Sequence, residues 1–263
     1  MEFIMFFVAL IASIIGAICG VGGGVVIKPV LDTLRVASVS TISFMSAATV
    51  LSMSLCSVIG TAFSKDKDEQ ALNFKRTTPL GIGAVVGGIS GKLLFEYLKG
   101  LFSDPEQVGV IQATFLAVVL AVLLAYTLKR DKIKTHNIES KAVSVLVGIS
   151  LGIISSFLGI GGGPVDVVAL FFLFSMDAKA AAANSLYIIF LSQAANIAFS
   201  LITGNMPAVK PIQLMLMIAG GILGAVVGRK INKKIASQTV NRLFIALLIC
   251  MMLVSVYNVI KTI

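Results

Sequence analysis

The sequence predicts an all-α polytopic membrane protein made of two inverted four-element repeats, each opening with a helix broken at a glycine-rich motif. Three observations carry that prediction. The chain of 263 residues is 57% hydrophobic and only 13% charged, with a mean hydropathy of +1.01, too little polar surface to cover a soluble domain of this size. Apolar stretches long enough to cross a hydrocarbon core of about 30 Å recur from end to end, and they do not alternate as barrel strands would. One unusual device also occurs twice: "ICGVGGGVVIKP" (18–29) and "SFLGIGGGPVDV" (156–167) interrupt such stretches with clusters of glycine.

Charged or proline-containing breaks divide the chain into apolar elements at about 3–35, 38–63, 79–98, 108–128, 142–175, 178–203, 211–228 and 240–260. The first follows only Glu2 and has no basic leader, so it reads as a membrane element rather than a cleaved signal peptide. The third and seventh carry glycines at intervals of four, Gly83, Gly87 and Gly91 and then Gly220, Gly224 and Gly228, the spacing of a face that lets another helix approach closely. The connectors 64–76, 99–107, 129–141 and 229–239 are short and polar, and none has the length of a soluble domain.

Four elements followed by four more suggest a repeat. An offset of 139 places Gly20, Gly22, Gly23 and Gly24 on Gly159, Gly161, Gly162 and Gly163, Ser46 on Ser185, and Ser57 on Asn196. We therefore divide the chain into a first transmembrane repeat (1–130), a cytoplasmic linker (131–141) and a second transmembrane repeat (142–263).

The first element of each half is too long for one span. Residues 3–35 would form a helix of about 50 Å at 1.5 Å per residue. Split at the glycines, each long element either crosses the membrane as a broken helix or dips in and returns as a re-entrant hairpin. Basic residues discriminate between the two. With Lys28 and Lys92 set aside because they lie inside apolar elements, crossing divides Lys and Arg 11 to 8 between the two sides, whereas returning divides them 15 to 4. The positive-inside tendency favours returning hairpins. Loops 64–76, 129–141 and 229–242, with Lys179, are then cytoplasmic, and the halves are inverted, an arrangement suited to transporters.

The glycines then gain a purpose. A broken helix in lipid exposes backbone N–H and C=O groups, which survive only where protein or a water-filled cavity satisfies them. Glycine lets the backbone turn tightly and approach a ligand closely. After each cluster a half-helix begins, "VVIKPVLDTL" and "PVDVVALFFLF", with Pro164 at a first position where its missing N–H does no harm. Two helix N-termini converging near the midplane make an anion site. Close helix packing is the simpler use of glycine in membranes, but duplication inside an overlong element favours the site.

"GAICGVGGGVVIKPVL" and "SSFLGIGGGPVDVVAL", each opening a four-element half, resemble the sulfite exporter TauE/SafE family of anion transporters, and the resemblance covers essentially the whole chain. It implies a bacterial or archaeal plasma-membrane carrier for sulfite, sulfonates or sulfonated organic acids. The two motifs are unequal: the first continues into Lys28, where position 167 of the second is Val167.

Beyond Gly20, Gly22, Gly23, Gly24, Gly159, Gly161, Gly162 and Gly163, the candidate substrate-binding residues are polar side chains on the helices that follow the hairpins. Ser185, Ser192 and Asn196 share one helical face, flanked by Asn184 and Gln193, and Ser46, Thr49 and Ser57 match them in the first half. They are neutral donors suited to sulfur oxyanions; ordinary interhelical hydrogen bonding is the competing use. Lys28 and Asp166 are ionisable residues deep in apolar elements, where an unpaired charge is expensive. Lys28 lies about one turn past the glycines, close enough to add charge to the site, although snorkelling towards an interface also fits it. Asp166 either pairs with Lys28 or carries a coupling proton.

Other functions fit less well. Cys19, Cys56 and Cys250 lie in apolar runs without metal-ligand spacing, so core thiols are expected and neither a disulfide framework nor a metal. His136 is the single histidine and sits in a basic loop, which argues against a Ser–His protease in the membrane. "GVGGG" lacks the GxGxxG spacing of a dinucleotide site, and no Walker-type motif is present. The leading reading is a secondary transporter of a small anion, with proton coupling or facilitated exit both open; an anion channel with the same site is the alternative, and an enzyme or receptor ranks below both. No cofactor is expected. The partners are the anion and the lipid bilayer, not nucleic acid, with a homodimer left open.

Overall fold

The computed structural model describes residues 2–34, 36–63, 72–101, 105–158, 162–204 and 206–262. Among them lie ten α-helices: α1 (Glu2–Cys19), α2 (Gly24–Thr33), α3 (Val39–Ala62), α4 (Phe74–Leu101), α5 (Pro105–Lys129), α6 (Lys141–Phe157), α7 (Pro164–Phe174), α8 (Ala178–Ile202), α9 (Pro211–Lys234) and α10 (Ser237–Thr262). Five of them, α1, α3, α8, α9 and α10, contain stretches long and apolar enough to cross a membrane. Their outward faces carry large apolar side chains such as Ile11, Ile59, Leu201, Met215 and Leu253, as a lipid-facing surface requires.

Both overlong elements break at the glycines, the first into α1 and α2 and the second into α6 and α7. In the first half, a β-carbon at Gly16 would lie 2.7 Å from the backbone of Gly22 and Gly23, so the turn folds onto the last turns of α1. Ile27 and Leu31 of α2 then share one buried cluster with Met5, Ala9 and Ala12 of α1. In the second half, the strap before α6 holds the end of α7: the His136 N–H donates to Phe172 O (2.8 Å) and the Ile138 N–H to Leu173 O (3.0 Å). The α7 helix therefore ends beside the start of α6.

The described parts of the three expected basic loops gather at one end of the bundle; residues 64–71 of the first lie outside the described residues. Arg76 donates to Asn137 Oδ1 (2.8 Å) and pairs with Glu139 at 3.8 Å. Arg130 reaches Asn241 Oδ1 (3.4 Å), Ser237 donates to Asp177 Oδ2 (2.7 Å), and Lys179 reaches Lys233 O (3.5 Å). We call this the basic end. At the other end the start of α3 meets the segment before α9, where Thr41 donates to Ala208 O (3.4 Å).

Two helices run further than hydropathy suggests. The α4 helix starts at Phe74 rather than 79, with the Asn73 side chain accepting the Arg76 N–H, and α9 continues through its charged turn to Lys234 rather than ending at 228. Lys and Arg are good helix formers, so a helix continues past the hydrocarbon edge that hydropathy detects.

The glycine faces decide the helix pairs. The α4 helix lies along α6 and α9 along α1; α4 also meets α8 and α9 meets α3; α3 touches α8 and α5 touches α10. A β-carbon at Gly83, Gly87 or Gly91 would run into the carbonyls of Val145, Ile149 or Ile153, and one at Gly220, Gly224 or Gly228 into those of Phe6, Leu10 or Ile14. The second set of partners stands 139 positions before the first, so the two contacts agree residue by residue. Gly87→Ala is expected to lose about 1–3 kcal/mol by forcing α4 off α6. Gly88→Ala on the same helix would meet only the Ser156 hydroxyl at 3.4 Å and should lose nothing. Thermal midpoints of the two variants in detergent check the difference.

Candidate functional site

The two glycine turns meet in the middle of the bundle. Gly163 lies against the backbone of Val21, leaving no room for a β-carbon, and β-carbons at Gly22 and Gly162 would each come to 3.5 Å from the Ile189 side chain, midway along α8. Gly20 packs on the backbone of Ala182. All four of these positions favour glycine by conformation as well, with φ between +67° at Gly163 and +99° at Gly162. Gly159 and Gly161 lie outside the described residues.

From this meeting point α2 and α7 run to opposite ends, and their N-termini differ chemically. At α7 the carboxylate of Asp166, 2% exposed, folds back to accept the Gly163 N–H, the exchange expected of an acidic residue in a first turn. That N-terminus is answered by the chain's own anion. At α2 no acidic residue occupies the first turn, and the polar groups nearest its start are the hydroxyls of Ser13 and Ser46, 3.1 Å and 3.2 Å from where β-carbons of Gly23 and Gly24 would stand. The N–H donors and positive dipole end of α2 thus have only neutral hydroxyls beside them among the described residues.

Lys28 lies one turn into α2 and is half-buried, with Asp32 as its electrostatic neighbour. The expected pairing of Lys28 with Asp166 does not occur among the described residues. The cause is the divergence of α2 and α7, which carries the two side chains apart.

The polar stripe divides by what its atoms already bind. The hydroxyls of Ser185 (0% exposed) and Ser57 (4%) are buried without a hydrogen-bond partner among the described residues. Thr49 donates to Met45 O in its own helix (2.8 Å). Asn184 is engaged at the start of α4, accepting from the Asn73 N–H (3.0 Å) and the Thr77 hydroxyl (2.7 Å) while donating to Ala180 O (2.8 Å). Asn196 accepts from Lys92 (3.4 Å), Gln193 is buried, and Ser192 is half-buried. Ser57 and Ser185 are thus the polar groups closest in character to the expected lining, and the Asn184 amide is taken up in structural bonds.

A pocket of about 20 Å³ sits between the first glycine turn and the basic end, room for about one water. Ser57, Thr61, Lys179, Ala182, Arg229 and Asn232 contribute to its walls, and Asn232 also donates to Ile18 O at the end of α1 (2.7 Å). Only Ser57 of these stands out in the sequence as a site residue. Arg229 and Asn232 sit in a charged run at a helix end, which reads as solvated loop.

Apolar helices, an apolar outer surface and paired broken elements define a helical membrane protein, and comparison with known proteins makes it a membrane transporter. Over 244 residues the chain is 24% identical to the probable membrane transporter protein YunE of Bacillus subtilis (strain 168), covering 85% of this chain and 86% of that one. Over 176 residues it is 21% identical to the probable membrane transporter protein YjnA of the same organism, covering 64% and 66% respectively. The family model for the sulfite exporter TauE/SafE matches residues 5–255, and the chain belongs to that family.

Proposed function

We propose that the protein is a secondary transporter that moves a small sulfur-containing anion, a sulfite, sulfonate or sulfonated organic acid, across a bacterial or archaeal plasma membrane, coupled to protons. The observation that carries this reading is the meeting of two glycine turns in the middle of the bundle, with no acidic residue in the first turn of α2. Sulfur oxyanions suit N–H donors, the dipole end of a helix and nearby hydroxyls. The family's description supports the substrate class.

The hairpin contacts support an inverted pair of repeats, residues 1–130 and 142–263, in which the first hairpin enters from one face and the second from the other. The clustering of 64–76, 129–141 and 229–239 at the basic end supports a cytoplasmic position for all three, since basic loops stay inside. Close packing at Gly163 and Val21 supports a carrier that rearranges over a channel with an open pore.

Proteoliposome uptake tests the function, with sulfite, sulfoacetate, isethionate, taurine and chloride, with and without a pH gradient. Saturable uptake of one sulfur anion accelerated by the gradient is the expected result. Unsaturating chloride current would replace the carrier with a channel, and no flux of any anion would overturn the anion site. Lys28→Ala is expected to raise the KM for the transported anion by about tenfold, the scale of one charge-assisted contact, while inserting normally. Unchanged uptake removes Lys28 from the site.

A further inference from the structure

Two half-buried cations in the bundle are not used by the glycine site, and they are counterparts. The offset of 137 that carries Gly83, Gly87 and Gly91 onto Gly220, Gly224 and Gly228 also carries Lys92 onto Arg229. Each cation meets a polar helix from the other half at a matching point. Lys92 Nζ lies 3.4 Å from Asn196 Oδ1 and 5.6 Å from the centroid of the Phe199 ring. The Arg229 guanidinium rests on Gly60, where any β-carbon would overlap it, and shares the basic-end pocket with Ser57. Ser57 and Gly60 stand 139 positions before Asn196 and Phe199.

The two cations lie at opposite ends. Arg229 is in the last turns of α9, at the basic end, while Lys92 is about 27 Å along α4 from its basic-end start at Phe74, at 1.5 Å per residue. A charge inside a membrane bundle is costly unless it is answered. Among the described residues neither Lys92 nor Arg229 has a carboxylate partner. Among the described residues each rests instead on neutral groups, Lys92 on Asn196 and Arg229 on Gly60, a setting suited to an anion. On the Arg229 side the Ser57 hydroxyl is buried, faces the pocket and has no hydrogen-bond partner. The pocket also abuts the glycine turn, because its wall residue Ala182 is the one on which Gly20 packs.

We propose that Arg229 and Lys92 are the anion-capturing cations of two vestibules that flank the glycine site, Arg229 with Ser57 at the basic end and Lys92 with Asn196 at the far end. The assignment rests on the transporter reading above and adds the residues that hold the anion before and after the central site. The occupant is a small oxyanion such as sulfite, larger than the one-water pocket beside Arg229, so the pocket widens to admit it: the planar Arg229 fork matches two oxygens on one sulfur, while Lys92 supplies a point charge. An anion that leaves the first glycine turn towards the basic end passes Ala182 and meets Arg229.

The test is sided sulfite flux in proteoliposomes of defined orientation. Arg229→Gln is expected to raise KM about tenfold for sulfite presented at the basic face and to leave KM at the other face unchanged; Lys92→Gln is expected to do the reverse. Gly60→Ala displaces the guanidinium without removing its charge and should reproduce the Arg229→Gln result, and Arg229→Lys should fall between wild type and Gln. These two variants keep the test decisive if Arg229→Gln fails to fold. Wild-type sulfite flux with equal effects on both faces, or no KM change in any variant, overturns the vestibules and leaves the transporter reading in place. Absence of flux in the wild type across the anion panel overturns that reading and the vestibules with it.

Discussion

Gly163→Ala is expected to abolish anion uptake and to destabilise the protein by at least about 2 kcal/mol, and it should be the most damaging single methyl group in the chain. Two effects add. Gly163 has φ +67° and ψ −101°, a conformation essentially closed to residues with a side chain and worth about 1–3 kcal/mol of strain. A β-carbon there would also overlap the Val21 carbonyl, the contact between the two glycine turns. Overpacking a tight contact costs about 1–3 kcal/mol more. The strain alone would be absorbed locally at a surface turn. At this position the only relief is to move one turn away from the other, which also moves the start of α7 and the Asp166 carboxylate that accepts from Gly163. The thermal midpoint in detergent and sulfite uptake at matched protein amounts check the two halves of the prediction. A variant that folds and transports like wild type would mean that the turns do not work as a unit.

The sequence makes some of this legible and hides the rest for physical reasons. The break at Gly20–Gly24, the start of α7 at Pro164 and the approach faces at Gly83, Gly87 and Gly91 are local signals: glycine spacing and proline position act within a few residues. The gathering of the three basic loops at one end follows from charge counted over the whole chain. Roles that depend on which partner a side chain meets in space are hidden. Asn184 belongs to a polar stripe by periodicity, yet its amide is taken by Asn73, Thr77 and Ala180. Lys28 and Asp166 follow matching glycine motifs, yet their half-helices diverge. Arg229 stands in a charged run that reads as loop, and only the glycine face beneath it shows that its helix continues and that its guanidinium lies over Gly60. One signal was available: its alignment with Lys92, a charge already conspicuous inside an apolar element.

Asp166→Asn is expected to preserve the fold and to separate anion movement from the pH gradient. Asp166 is 2% exposed and sits where the two glycine turns meet, with the Gly163 N–H donating to its carboxylate. As a cap it needs only an acceptor oxygen, which the Asn side chain supplies in the same shape. As a coupling group it needs to exchange a proton, which Asn cannot do. The substitution therefore discriminates between the two roles. With Asn, the thermal midpoint should stay close to wild type and sulfite should still move down its own gradient, but an imposed pH gradient should no longer accelerate uptake. Asp166→Ala loses the acceptor as well and leaves the Gly163 N–H unanswered, which should cost about 1–3 kcal/mol. A buried ionisable group in a membrane bundle is expensive to keep, and a neutral Asn would cap the helix at lower cost. That difference is the argument for the coupling role. If Asp166→Asn retains full acceleration by the pH gradient, Asp166 is a cap alone, and the proton travels on the anion or on another group.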